Sequence, residues 1–490
     1  MAETATKKLS RTDLLLEQVR SGGGQMTRRE QVELAARLAL PAILAQISTI
    51  AMEYIDASMV GRLGANDSAS IGLVATTTWL FWGLGSAAAT GFSVQVAHRI
   101  GARDAQDARN VLRQAFFTCL SWSLLLATIG ISIAWQLPHW LGGTDEICHN
   151  ATLYFLVFAC TMPVFEMNYM MSSMLRCSGN VKTPSLLNVT MCVLDVAFNF
   201  FLIFPTRTIT LFGTDLTLPG AGLGVMGAAL GTLLAEIVTG SLLFYFLCYR
   251  SLHLRILGRR RLEPTTWANF LPTRRVLLKA IKIGTPIACE RVIMCGAQIT
   301  TTRIVAPLGK FAIAANAFGI NAESLCYMPG YGIADAATTL VGQSIGANRH
   351  DLARRFANIT VTMGIAIMTL MGTLMYLGAP LVMGIMSPVG EIIDLGTQAL
   401  RIEAFAEPMF AASIVCYGVF VGAGDTLIPS TMNLSAIWAF RITLALALSP
   451  SMGLNGVWLA MCIELNLRGL LFLLRLKSKR WLKTKKTTTT

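Results

Sequence analysis

Residues 178–188 read SGNVKTPSLLN and residues 423–433 read AGDTLIPSTMN. Gly179 matches Gly424, Pro184 matches Pro429, Ser185 matches Ser430 and Asn188 matches Asn433, always 245 residues apart. The same offset recurs outward from this pair. Leu40-Pro41 meets Thr285-Pro286, Leu63-Gly64 meets Leu308-Gly309, and Ile100-Gly101-Ala102 meets Ile345-Gly346-Ala347. Ala108-Arg109 meets Ala353-Arg354, Glu146-Ile147 meets Glu391-Ile392, and Pro163 meets Pro408. One offset held from position 40 to position 433 marks an internal duplication. The register is lost only past residue 204, where the first half carries a longer loop, PTRTITLFGTDLTLPG.

Each half is strongly apolar. Of the 490 residues 54% are hydrophobic and 14% charged, and the mean hydropathy is +0.57, a membrane-protein composition. Crossing a hydrocarbon core takes about 20 helical residues. Runs of that kind lie near residues 33–60, 68–97, 111–135, 151–175, 185–205, 220–247, 278–306, 312–342, 357–386, 396–422, 429–449 and 453–475. The expectation is an all-α membrane protein of twelve transmembrane helices, in two six-helix lobes related by a parallel pseudo-twofold repeat. Six spans is an even number, so both halves enter the membrane in one orientation, and a substrate pathway between them is expected.

The formal net charge is +13, but its placement excludes a nucleic-acid face. The basic residues crowd alternate connections: Arg28 and Arg29; Arg99, Arg103 and Arg109; Arg176 and Lys182; Arg250 to Arg275; Arg349, Arg354 and Arg355; and the tail from Arg475. The positive-inside rule puts those connections and both termini in the cytoplasm, of a plasma membrane or, in a bacterium, the inner membrane. The first 32 residues are polar, with no cleavable signal ahead of the first span. The chain is thus expected to divide into a cytoplasmic segment 1–32, an N-lobe 33–247, a basic linker 248–277, a C-lobe 278–475 and a basic tail 476–490. Eleven cysteines show no metal-site spacing and read as packing residues. No Walker loop, nucleophile elbow, HExxH helix or dinucleotide fingerprint is present, so neither an enzyme nor an ATP-driven pump is expected, and no cofactor.

What remains is a set of ionisable residues at membrane depth, each costing about 2.5 to 3.5 kcal/mol on insertion scales and each a functional candidate by default. In MCVLDVAFNFFLIF (191–204), Asp195 and Asn199 share one helix face. Such a pair can hold a proton, offer oxygens to a sodium ion, or simply hydrogen-bond between helices. Asp56 lies near the outer end of the first span with Glu53 one turn earlier. In the second half stand Glu290 beside Arg291, Asp335 after Pro329, then Glu323, Glu403, Glu407 and Asp425, with Arg303, Arg441 and Arg468 as available counter-ions; Glu464 and Arg468 have the spacing of a structural pair. The acids ignore the duplication: by the offset Asp195 falls on Phe440, Asp56 on Thr301, Asp335 on Thr90 and Glu290 on Ala45.

Five segments taken together, IDASMVGRLG, LRCSGNVKTPSLLNVTMCVLDVAFNFFLIF, GTPIACERVIMCGAQITTTRIVAPLG, AESLCYMPGYGIADAATTLVGQSIGA and GVFVGAGDTLIP, resemble the multidrug and toxic compound extrusion (MATE) transporters, over nearly all of residues 30–475. That resemblance implies a V-shaped helical antiporter exporting cationic or amphipathic organic compounds in exchange for H⁺ or Na⁺, as a monomer in the bilayer. It implies an ion-coupling site at Asp56, Asp195 and Asn199, able to take Na⁺, with Glu290, Asp335, Glu407 and Asp425 as substrate or C-lobe ion candidates. Many members place the amide before the carboxylate in the fifth span; here the carboxylate comes first. A flippase for a lipid-linked oligosaccharide is the rival reading; its cavity is expected to be cationic, with no required acid.

Overall fold

The computed structural model describes residues 10–21, 26–211, 214–256 and 267–482. The arginine run Arg259–Arg261 of the expected linker lies outside the described residues. A short helix α1 (Arg11–Arg20) is followed by α2 (Arg28–Gly61), α3 (Ala65–Gly101), α4 (Ala105–Ile133), the single turn α5 (Leu137–Trp140), α6 (Asp145–Cys177), α7 (Lys182–Leu202) and α8 (Gly224–Tyr245). The second half comprises α9 (Arg274–Val305), α10 (Lys310–Gly346), α11 (His350–Met386), α12 (Gly390–Ala404), α13 (Glu407–Gly422), α14 (Leu427–Ala436), α15 (Thr443–Met452) and α16 (Leu454–Lys477).

Every expected span is a helix. Nine of the described helical segments are long and apolar enough to cross a membrane, and α12 with α13 forms a tenth, bent by 59° at its break. The turn of π-helix Ile437–Ile442 joins α14 to α15 within one of the nine. Helices α9 and α10, of 32 and 37 residues, are as long, but their apolar runs are interrupted by Lys279, Lys282, Glu290 and Arg291 in the first and by Glu323 and Asp335 in the second. Three differences from expectation have local causes. The spans run several residues past their apolar runs, since polar residues continue a helix in the headgroup zone. The longer loop of the first half is a hairpin: β1 (Pro205–Leu211) pairs antiparallel with β2 (Thr214–Ala221), fitting the alternation of Thr206, Thr208 and Thr210 with Arg207, Ile209 and Leu211. The polar N-terminal segment contains α1, started by a reciprocal capping box between Ser10 and Asp13.

The duplication is visible in the backbone. Gly179 and Gly424 both have left-handed φ, +97° and +77°, and so do Arg103 and Asn348, at +61° and +58°; each pair is 245 residues apart. The halves interlock where α3 and α10 end. A Cβ on Gly101 would lie 2.1 Å from the Gln343 carbonyl oxygen, and a Cβ on Gly346 would lie 2.0 Å from that of His98. The side chains of these partners also cross: Gln343 Nε2 donates to the Cys177 carbonyl (2.8 Å), and His98 Nε2 lies 2.8 Å from the Gly422 carbonyl. All four positions are repeat-related, so one joint is made twice about the pseudo-twofold axis. Towards the membrane centre Gly91 and Gly284 hold α3 against α9, while Gly332 holds α10 against α2. These contacts close the molecule at the end carrying the basic connections.

Helix α1 seals that same end from below. Leu15, Leu16 and Val19 are buried in the cluster that contains α2, α10 and α11. The Arg20 guanidinium bridges both halves: Nε donates to Gln343 Oε1 (3.1 Å), Nη2 to the Ser178 carbonyl (3.1 Å), and Nη1 to His253 Nε2 (2.6 Å). Arg349 Nη1 donates to the Gln18 carbonyl (2.7 Å), and Arg103 pairs with Glu17 (2.6 Å). His253 can accept only when neutral. Burial, then the Arg20 charge, pushes its pKa down to about 4; Arg109 acts the same way, and Glu17 and Asp13 oppose.

Gly101→Val is expected to overpack the joint and cost about 1 to 3 kcal/mol, read as a lower thermal unfolding temperature in detergent. A free histidine protonates near 6.5, so docking of α1 is at full strength above that pH and is lost as pH falls from 6.5 towards 4. Hydrogen–deuterium exchange of the amides of residues 11–20, corrected for intrinsic rates, is expected to speed up over that window, and His253→Gln is expected to flatten the dependence.

Candidate functional site

Helices α2, α7 and α8 form one bundle of the first half, tied near its basic end by Asn188, whose Nδ2 donates to the Ala45 carbonyl (3.0 Å) and to Thr49 Oγ1 (2.9 Å). Two turns further along, the expected trio meets. Asn199 Nδ2 donates both to Asp56 Oδ1 (2.9 Å) and to Asp195 Oδ2 (3.0 Å), bringing together residues 143 apart in the chain. Asp195 and Asn199 are fully buried. The i,i+4 spacing places the amide over the carboxylate, and Gly231 lets α8 close on them, since a Cβ there would lie 2.0 Å from Asn199 Oδ1. Asp195 Oδ1 and Asn199 Oδ1 have no hydrogen-bond partner. Two carboxyls and an amide oxygen thus face one another at membrane depth with acceptor capacity left over. The donor set, all hard oxygens, fits a proton or Na⁺.

Two further acids of this half, absent from the expected set, are Glu166 on α6 and Glu236 on α8. Glu166 is buried with Oε1 unpartnered, lying over Gly85 of α3. Glu236 receives Asn168 Nδ2, which also donates to the Glu236 carbonyl (2.7 Å). Both stand in uninterrupted apolar runs, PVFEMN and LLAEIV, so the membrane-depth rule that found Asp195 finds them too.

In the second half Glu290 is a saturated acceptor: Tyr417 Oη (2.7 Å), Ser430 Oγ (2.6 Å) and Asn433 Nδ2 (2.7 Å) all donate to it. Asn433 is the repeat partner of Asn188, and Glu290 that of Ala45; the same helix joint is made once with a backbone carbonyl and once with a carboxylate. Asp335 faces Arg176 of the other half at 3.7 Å. Asp425 sits in the turn at the basic end and is bound by Arg475. These three candidates are not brought together.

Glu407 belongs to a separate group. Glu403, Glu407 and Glu464 are fully buried and Glu323 nearly so. Arg441 donates twice to Glu464 Oε2 (3.1 and 2.7 Å), and Arg468 Nε lies 3.1 Å from its other oxygen. Glu403 and Glu407, either side of the bend between α12 and α13, have no partner on any of their four carboxyl oxygens, and both feel the charge of Glu323. Four acids face two arginines.

The MatE family profile matches this chain twice, over residues 41–201 and 286–446. The chain belongs to the MATE family. The two matches start and stop 245 residues apart, the offset of the internal repeat. This MATE chain is a multi-pass membrane transporter and not an enzyme. It is 25% identical over 476 residues to the probable multidrug resistance protein NorM of Chromobacterium violaceum, covering 93% of this chain and 97% of that one. It is 24% identical over 447 residues to the NorM of Thermotoga maritima, covering 91% and 92%. Among solved structures, a MATE protein in complex with MaL6 superposes with a TM-score of 0.83 at 20% identity, over 95% of this chain and 98% of that one. An outward-facing multidrug resistance MATE transporter gives 0.83 at 20% identity, over 95% and 97%; the shared fold is what these superpositions establish.

Arg441→Met is expected to destabilise the protein by about 3 kcal/mol or more, because it strips two hydrogen bonds from a buried carboxylate. Glu407→Gln has no donors to lose and is expected to leave the unfolding temperature unchanged or raise it, measured on detergent-purified protein.

Proposed function

We propose that this MATE protein is a secondary antiporter that exports cationic or amphipathic organic compounds in exchange for H⁺ or Na⁺ by alternating access. The observation that carries the reading is the trio of Asp56, Asp195 and Asn199, with two buried acceptor oxygens left unpartnered. Two carboxylates in contact away from water cannot both remain bare anions; a proton or a metal cation between them removes the repulsion and restores the lost solvation. Such a site binds a cation in one arrangement of its helices and releases it in another, which is what coupling requires.

With the basic connections in the cytoplasm, the interlocked end is the cytoplasmic one and the lobes open outward. Residues 33–247 and 278–475 then move as the two lobes about the linker 248–277, with both termini inside, in the plasma membrane or a bacterial inner membrane. Cation entry at Asp56 and Asp195 pulls α2 and α7 together and weakens the cleft's hold on substrate. Return to the inward-open state breaks the joint at Gly101 and Gly346, the α1 bridges and the Arg176–Asp335 pair. Glu407, with Glu403 and Glu323, is a second group able to hold a proton, whereas Glu290 and Asp425 act as structural acceptors. The cleft is made by the two halves of one chain, so a monomer suffices. The NorM relatives, described as multidrug resistance proteins, support efflux over the lipid-carrier flippase.

In sealed vesicles with imposed proton or sodium gradients, Asp195→Asn is expected to lower gradient-driven export by about tenfold or more, a loss of coupling near 1.4 kcal/mol. Undiminished export removes Asp195 from the mechanism. Separate pH and sodium gradients identify the ion, since only the coupling ion drives transport.

A further inference from the structure

Helix α8 carries two glycines that each admit an asparagine from a neighbouring helix. A Cβ on Gly231 would lie 2.0 Å from Asn199 Oδ1 of α7, and one on Gly240 would lie 2.0 Å from Asn168 Oδ1 of α6. Asn199 belongs to the trio with Asp56 and Asp195. Asn168 serves a different acid: its Nδ2 donates to the Glu236 carbonyl (2.7 Å) and to Glu236 Oε2. Glu236 is the only charged residue of α8, on one stripe with Thr232 and Gly240, four residues to either side. Along α8, Gly227 lies against the Leu202 carbonyl, Gly231 against Asn199, and Ala235 beside Met191 and Cys192. The two helices therefore run antiparallel, and Asp195 and Glu236 both lie about one turn from the Gly231–Asn199 contact towards the basic end.

The acids of the interior differ in what holds them. Glu464 faces two arginines, and Glu290 receives three donors. Among the described residues the Glu236 carboxyl receives one neutral donor, the Asn168 amide, and forms no ion pair. The helices packed on α8 bring it acids and a thiol: Asp195 and Cys192 from α7, and Asp56 and Glu53 from α2. On α6, one turn either side of Asn168, stand Val164, Phe165, Met171 and Ser172, while Glu166 turns to Gly85 of α3. Helix α3 has no charged residue between Asp67 and His98. The charge that reaches Glu236 is that of Asp195, of its own sign. A carboxylate at membrane depth with one neutral donor and an acid for a neighbour is costly as an anion. As a neutral acid it keeps the Asn168 bond at Oε2 and carries its proton on Oε1.

We propose that Glu236, held by Asn168, is a second proton-carrying residue of the first half, separate from the trio, and that each transport cycle moves one proton on Glu236 in addition to the cation at Asp56 and Asp195. This inference rests on the antiporter reading and deepens it from one coupling cation to two. In the outward-open state external water supplies the proton that forms the Oε1–H bond. In the inward-open state that bond breaks and the proton passes to cytoplasmic water, leaving the carboxylate. Asn168 is a positioning residue: by bonding the backbone carbonyl and the side chain of Glu236 together it fixes the rotamer in which the acid stands beside Asp195.

The test reads stoichiometry in proteoliposomes of the full chain, with ethidium as cargo and the membrane voltage short-circuited by potassium and valinomycin. Under a pH gradient of about one unit, each coupled proton multiplies the steady-state ethidium ratio by about tenfold. Glu236→Gln keeps an oxygen for the Asn168 amide but cannot carry the proton, and is expected to lower that ratio by about tenfold; Glu236→Asp is expected to recover part of the loss. Under combined proton and sodium gradients each of Asp195→Asn and Glu236→Gln is expected to retain some accumulation and the double variant none. A ratio unchanged by Glu236→Gln, which marks the residue as a structural acceptor, overturns the proposal. So does a double variant no worse than Asp195→Asn alone, which places Glu236 in the same site as the trio. If the wild-type chain accumulates no ethidium under any gradient, the antiporter reading fails, and infrared difference spectra of the detergent-purified chain across a pH titration still decide the residue: loss of a protonated-carboxyl band in Glu236→Gln supports a proton there, and an unchanged spectrum overturns it.

Discussion

The structure depends on a single close crossing. Near the basic ends of α3 and α10, Gly101 lies under the Gln343 carbonyl and Gly346 under that of His98, too near for any side chain. Small residues let helix backbones approach within a membrane, where there is no hydrophobic force to hold helices together and packing and hydrogen bonds must do it. The Gln343 amide and the His98 ring then reach across to the Cys177 and Gly422 carbonyls, capping two helix ends whose last carbonyls otherwise lack donors. Because all of this is repeated about the pseudo-twofold axis, the joint defines that axis.

The two halves use the shared scaffold for different electrostatic purposes. In the first, the α2–α7–α8 bundle gathers two carboxyls around one amide and leaves oxygens vacant. In the second, the counterpart of the Asn188–Ala45 contact closes on Glu290 with three donors and leaves neither oxygen unpartnered; the vacant acids lie instead at the bend between α12 and α13. Breaking that span puts Glu403 and Glu407 on either side of a 59° kink, where a helix terminus and a helix start face the interior and irregular backbone lines the protein instead of lipid. The same duplication thus leaves buried acids with unpartnered oxygens in each lobe, on different helices.

Charge balance in the cleft follows from these choices. Glu323, Glu403, Glu407, Glu464 and Asp195 are buried within their own lobes, while Asp335 meets Arg176 of the other half.

Much was legible in the chain alone. Apolar runs longer than about 20 residues must be helices, because a backbone in hydrocarbon has no other way to satisfy its polar groups, and one offset from Leu40 to Asn433 makes the second half a copy of the first. The membrane-depth rule also picked out Asp195 and Asn199, since an acid and an amide one turn apart share a face. It could not tell which acids are satisfied: Glu290 and Glu407 look alike in sequence, yet one receives three donors from α13 and α14 and the other none. Nor could it bring Asp56 to Asn199, or set Arg20 between Gln343 and Ser178, because those meetings join residues 143, 323 and 158 apart. Periodicity decides what each segment becomes, since backbone satisfaction is local; only packing decides which side chain finds a partner, because that depends on helices whose approach a few glycines permit.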